Sequence, residues 1–151
     1  MFEKFGEFDS CEEINLAAEG LYNEGDVKSL YLLAEENGIP QDFAAHYAAG
    51  ELPELCDPMT AAIGKLEVEK EQKEVKDYNS KIPAEPIIEY LSGQCEKEVM
   101  ARAIRRKDKN LVECLRYIER EARKIVTRAR PWLHDAAVYK MARDYYLGGA
   151  K

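Results

Sequence analysis

Apolar positions recur three and four residues apart along most of this chain, and nowhere do they alternate with polar ones over a useful length. That period is helical, and it predicts an all-α protein. The first segment opens at Asp9-Ser10-Cys11-Glu12-Glu13, where Ser10 can cap a helix and Glu13 can close a capping box. Ile14, Leu16, Ala17, Ala18 and Leu21 form its inner side, and Gly25 supplies the left-handed stop. Asp26 caps a second helix with Val27, Leu30, Tyr31, Leu33 and Ala34 inward, ended by Gly38. Ile39-Pro40-Gln41-Asp42 opens a third through Phe43, Ala44, Tyr47 and Ala48, closed by Gly50. Three short helices with glycine stops predict a compact antiparallel module.

Asp57-Pro58 is another start, with Asp as cap and Pro preorganised for the first turn. Residues 58–76 read as one helix: first apolar (Met59, Ala62, Ile63, Leu66), then the charged run E-V-E-K-E-Q-K-E-V-K, expected to be a solvated connector with Glu–Lys pairs one turn apart. Asn79, Ser80, Pro83 and Pro86 mark a break, dividing an acidic module with its connector (1–76) from a second helical part (77–151). Pro86 begins a helix carrying Ile87, Ile88 and Leu91, and Glu96 to Arg105 follows with Val99, Met100, Ala103 and Ile104. Arg105 to Lys109 reads as a basic turn. Asn110 then caps the longest helix, 111–128, whose stripe is Leu111, Cys114, Leu115, Ile118, Ala122 and Ile125. Pro131 breaks it. A last helix from His134-Asp135 carries Val138, Tyr139, Met141, Ala142, Tyr145 and Tyr146, and stops at Gly148-Gly149.

With 46% hydrophobic and 34% charged residues in 151, the chain has the makings of a folded helical core rather than a disordered segment. No apolar run approaches the roughly 20 residues that span a bilayer. Met-Phe-Glu-Lys-Phe-Gly-Glu has neither the basic nor the apolar region of a signal peptide, so a cytoplasmic location without membrane contact is expected. The net charge of −7 conceals a split: residues 1–76 hold 18 acidic and 6 basic residues, residues 77–151 hold 11 acidic and 16 basic. Such halves imply two surfaces for different partners, or attraction between the halves within the monomer or across a homodimer.

The sharpest chemistry is basic. Arg116, Arg120, Arg123 and Arg130 fall near one helix face opposite the apolar stripe, with Lys124 beside them and Arg105 and Arg106 in the turn before. Guanidinium forks suit phosphate or carboxylate, so the face fits DNA, RNA or an acidic protein, or else is a solvated surface balanced by Glu113, Glu119 and Glu121. The acidic candidate surface includes Glu12, Glu13, Glu35 and Glu36, which could occupy a positively charged channel or simply confer solubility. Trp132, Tyr139, Tyr145 and Tyr146 could stack on bases, but three lie at core spacing, with hydroxyls expected at the surface. His134 beside Asp135 is read as a helix start capped by Asp135, and His46 as a surface or half-buried residue. Cys11, Cys56, Cys95 and Cys114 are too far apart for a metal motif and read as reduced cytoplasmic thiols, mostly half-buried on helices. No phosphate-binding loop, dinucleotide fingerprint or hydrolase motif occurs, so no catalytic residue, metal or cofactor is expected, and the protein is read as a non-enzyme.

Lys109, Leu111, Cys114, Tyr117-Ile118, Ala122 and Lys124, followed by Asp135, Val138-Tyr139, Ala142 and Tyr145-Tyr146, resemble the PcfK-like family over roughly residues 84–147. That family includes proteins described as type II-A anti-CRISPRs, carried on plasmids, conjugative elements and phages. The chain departs from the pattern at Met141, where Trp is usual, at Arg130-Pro131-Trp132, where a small-residue loop is usual, and in lacking an acidic tail after Tyr146. The stretches F-G-E-F-D-S and E-N-G-I-P resemble an accessory module that such proteins carry in Clostridia. The resemblance implies a mobile-element protein in a bacterial host cell that inhibits a type II CRISPR-Cas effector nuclease, or its guide RNA complex, by stoichiometric binding. A second class of function is a nucleic-acid-binding accessory of conjugation or plasmid maintenance.

Overall fold

The computed structural model describes residues 4–79, 82–126 and 133–148. Among them every regular element is a helix: α1 (Cys11–Glu24), α2 (Val27–Glu36), α3 (Gln41–Ala48), α4 (Pro58–Lys70), α5 (Lys73–Tyr78), α6 (Ala84–Gln94), α7 (Glu98–Arg105), α8 (Leu111–Ile125) and α9 (Asp135–Tyr146). No helix there is long and apolar enough to cross a membrane.

The boundaries follow capping chemistry. The Ser10 hydroxyl accepts from the Glu13 amide at 3.2 Å, and the Glu13 carboxylate reaches back to the Asp9 amide at 2.8 Å. Asp26, Asp57 and Asn110 cap α2, α4 and α8 through the amides of Ser29, Thr60 and Glu113. Asp135 differs from expectation. It is the first helical residue of α9, and His134 precedes it with no side-chain cap, so the carboxylate acts only on the positive end of the helix.

Two apolar clusters form the interior. One gathers Ile14, Ala18, Leu30, Leu33, Ala44 and Leu55 from α1 to α3 and the following loop. The other gathers Ile87, Leu91, Ile104, Leu111, Leu115 and Tyr146 from α6 to α9. α4 serves both: Ala61 lies in the first cluster, Ala62 and Leu66 in the second, joined there by Val75 of α5. α4 packs most extensively on α7. At one point the approach is backbone to backbone. Gly38 has φ +68°, and a Cβ on it would lie 2.3 Å from the Gly64 carbonyl oxygen. A Cβ on Gly64 would meet the Asn37 carbonyl oxygen at 2.2 Å.

Residues 58–76 are two helices, not one. The chain breaks at Glu71-Gln72, and the charged run is not wholly solvated, since Glu69 and Val75 are buried. All four cysteines are fully buried rather than half-buried, and Cys56 lies in the loop before α4. Burial pushes the thiols up, Cys56 and Cys95 to about 12, which keeps them protonated and inert.

Candidate functional site: a buried polar hub and two charged faces

The largest fully buried side chains include two cations, Arg105 and Lys65. A buried charge is tolerated only when its hydrogen bonds are met. Arg105 donates from Nε to the Phe8 carbonyl at 3.2 Å, from Nη1 to the Ala61 carbonyl at 3.2 Å and from Nη2 to Asn37 Oδ1 at 2.7 Å. Asn37 is itself fixed by donating to the Leu33 carbonyl at 2.9 Å. Lys65 Nζ donates to the carbonyl oxygens of Arg105, Arg106 and Lys109, and lies 3.6 Å from Glu7 Oε1. It thereby collects the carbonyls at the end of α7 and in the turn beyond. Glu69, one turn along α4, accepts from the Leu111 amide at 3.1 Å and satisfies the first turn of α8. The Asp9 carboxylate takes the Lys107 amide at 2.9 Å. The two N-terminal stretches singled out in the sequence, F-G-E-F-D-S and E-N-G-I-P, thus meet at one place, the end of α7.

Arg105 therefore leaves the predicted binding surface. It ends α7 with its side chain turned into the junction between the clusters, where the guanidinium replaces water for acceptors on three other chain segments. Its sequence position is informative in retrospect: Ala101, one turn before, and Ile104 are both buried. Lys65 and Glu69 carry the same signal, falling one turn apart beside Ala61, Ala62 and Leu66 on the inner side of α4.

Burial drives the Glu69 carboxyl up to about 7, against the pull of the Lys65 ammonium and the Leu111 amide. Ionising a group whose folded value lies above its ordinary 4.5 costs the folded state. Its contribution is intact below about pH 4.5 and is lost as pH rises through about 7, amounting to about 3 kcal/mol. Glu69→Gln keeps an acceptor for Leu111 and removes the ionisation. Urea midpoints of the wild type should fall more steeply between about pH 5 and pH 8 than those of E69Q. Parallel profiles for the two proteins would show that Glu69 does not titrate in this window.

The remaining predicted cations do reach solvent where they are described. Arg106 is exposed and pairs with Asp108 at 3.1 Å. Arg116, Arg120, Arg123 and Lys124 stand on the outer side of α8 as a ridge. Arg116 pairs with Glu113, Arg123 with Glu119 at 2.7 Å and Lys124 with Glu121 at 2.7 Å, all within the helix. The Arg120 guanidinium lies over the Tyr117 ring at 5.8 Å. Arg130 and Trp132 lie outside the described residues.

Tyr145 and Tyr146 of α9 are committed to the interior, and Tyr139 is half-buried. Tyr139 stacks on Tyr90 at 4.5 Å with rings nearly parallel, and Arg143 donates to the Tyr90 hydroxyl at 2.9 Å. The Tyr145 hydroxyl accepts from the Asn110 amide, and Tyr146 is 2% exposed. Neither hydroxyl reaches the surface as expected, because α9 packs on α6, α7 and α8.

The predicted carboxylates separate. Glu12 makes a two-pronged bond to Arg102 at 2.8 and 3.0 Å, which together with the Cys11 thiol holds its carboxyl down at about 2. Glu13 closes the α1 cap. Glu36 accepts from the amides of Lys4 and Phe5. Glu35 is exposed at the rim of a cleft that it and Glu36 share with Glu67 and Glu71 of α4. His46 is exposed, 3.4 Å from Glu51. Among the described residues no three His, Cys, Asp or Glu side chains converge as metal ligands do.

These features define a helical protein built on two cores around a shared helix, with a basic ridge on one element and an acid-rimmed cleft on others. No protein-family model, curated protein or solved structure matches the chain.

Proposed function

We propose that the protein is a non-enzymatic, stoichiometric inhibitor of a type II CRISPR effector nuclease, working in the bacterial cytoplasm and encoded by a mobile element, and that it engages the effector's guide RNA complex through the α8 ridge. The observation that carries this is how the residues of the family resemblance divide. Leu111, Cys114, Ile118, Tyr145 and Tyr146 are buried, while the helix they anchor turns Arg116, Arg120, Arg123 and Lys124 outward. Arg123 and Lys124 are held by pairs within their own helix, each worth a few tenths of a kcal/mol, and Arg116 is shared between Glu113 and the Tyr78 side chain of α5. Exchanging such a weak pair for a phosphate costs little, and a rigid row of guanidiniums suits an RNA backbone. Such effectors recognise their guide duplex through its backbone, so a ligand for that backbone can compete there.

The test is cleavage of a target plasmid by a guide-loaded type II nuclease, titrated with this protein. Loss of cleavage near one equivalent is expected. A variant carrying Arg116→Glu, Arg120→Glu and Arg123→Glu, folded by circular dichroism, should need at least tenfold more protein. Full cleavage at every ratio would sink the proposal, and normal inhibition by the triple variant would sink the role of the ridge. Binding to free RNA or DNA with no effect on the nuclease would instead support the conjugation or plasmid-maintenance accessory. Three phosphate contacts on a single strand would then give a log–log salt slope of about −2.

A further inference from the structure

A cleft of about 460 Å³ lies between the C-terminal turns of α2 and α4. Half-buried Leu32 and Val68 give it an apolar floor, and Glu35, Glu36, Glu67 and Glu71 stand around it. Its shape is fixed. The Gly38–Gly64 contact sits beside it and leaves no side chain between the two segments to rearrange. The placement of its acids is costly. Carboxylates near the negative end of a helix lose about 0.3–1 kcal/mol each, yet Glu35 and Glu36 occupy the last turn of α2, which holds no basic residue. Glu67 and Glu71 crowd the end of α4, offset there by Lys70 and by Lys76 of α5.

An apolar floor ringed by carboxylates is the complement of a long cationic side chain, whose methylene stem packs on apolar surface while its head seeks an anion. The α8 ridge offers four such side chains over three successive turns, all exposed. The acids around the cleft and the cations of the ridge are matched in number. Glu67, Arg123 and Lys124 have partners in their own helix and Glu71 one in the adjoining helix, all exchangeable contacts, whereas Glu36 also holds the Lys4 and Phe5 amides and Arg116 also bonds Tyr78 of α5. Among the described ion pairs none joins the cleft to the ridge within a chain, so both faces stay accessible to another molecule.

We propose that a second copy of this chain seats its α8 ridge in the α2–α4 cleft. Two copies related by a two-fold axis make the contact twice, since each carries one cleft and one ridge. The contact opposes the net charge of −7 on each copy, so it depends on local complementarity and weakens with salt.

Sedimentation velocity of the full chain, over a hundredfold range of concentration, tests this. At about 50 mM salt the boundary should shift from monomer to dimer with concentration, and at about 500 mM it should stay monomeric. A cleft variant (Glu35→Lys, Glu67→Lys, Glu71→Lys) and a ridge variant (Arg116→Glu, Arg120→Glu, Arg123→Glu) should each associate at least tenfold more weakly than wild type. Mixed together they should recover association, because both contacts are then complementary again. All six positions are exposed, and circular dichroism verifies that the variants are folded. A wild type that sediments as monomer throughout, or a dimer that the cleft variant leaves unchanged, overturns the proposal. The cleft variant keeps the ridge, so its behaviour is separable from nuclease inhibition.

Discussion

Replacing Arg105 with Ala is expected to cost the folded chain about 3–5 kcal/mol. The guanidinium is 1% exposed and serves Phe8, Ala61 and Asn37. Truncation strands those acceptors in a space water enters poorly, and it opens a void at the junction of the two cores. Arg105→Lys should recover little, because one ammonium cannot reach three acceptors spread over a planar fork. The neighbouring Arg106→Ala is the control. Its side chain is exposed and makes an ion pair of the kind worth under about 1 kcal/mol. Urea unfolding followed by circular dichroism separates the two, and equal midpoints for R105A and R106A would refute the assignment of Arg105 to the interior.

The second large effect comes from a single methyl group. In an ordinary helix Gly→Ala stabilises by about 0.5–1 kcal/mol. Gly20 in α1 has open space where a Cβ would stand, and Gly20→Ala should show that gain. Gly64→Ala in α4 should do the opposite and lose about 3 kcal/mol, because its methyl group would sit 2.2 Å from the Asn37 carbonyl oxygen, a backbone atom that cannot swing aside. Relief requires moving the α2–α3 turn off α4, which also pulls Asn37 from Arg105. The sign of the difference between the two alanine variants is the measurement. A stabilised G64A would mean that the turn does not bear on α4.

Local signals were legible in the chain wherever a side chain answers to its own neighbours in sequence. Ser10, Asp26, Asp57 and Asn110 cap the helices they were expected to cap, and Gly25 and Gly50 take left-handed values. The apolar stripe of α8 is buried from Leu111 to Ile118, but Ile125 is 40% exposed, since the core ends before the helix does. What the pattern concealed was the interior charge. Arg105 in a run of five charged residues and Glu69 in another look solvated, because composition is read along the chain while burial is decided across it. The break at Glu71-Gln72 was hidden for a related reason: good helix formers fill both sides of it, and the docking of Val75 into the second cluster turns the chain there. Of the basic surface, the α8 part was legible from helical spacing alone. The acidic surface was not, since its grouping of Glu35 and Glu36 with Glu67 and Glu71 depends on α2 lying against α4.

α4 carries Ala61 on one side and Ala62 and Leu66 on another, and so belongs to both clusters. An exchange of segments between related genes would ordinarily cut at a polar, proline-containing stretch such as 77–83. A cut there would carry α4 away with the acidic half and strip the other half of Ala62, Leu66 and Val75, together with the Glu69 carboxylate that starts α8. Any new N-terminal partner for α6 to α9 must therefore bring a helix with the same two-sided inner surface. Substitutions in α4 are thus constrained from both directions at once.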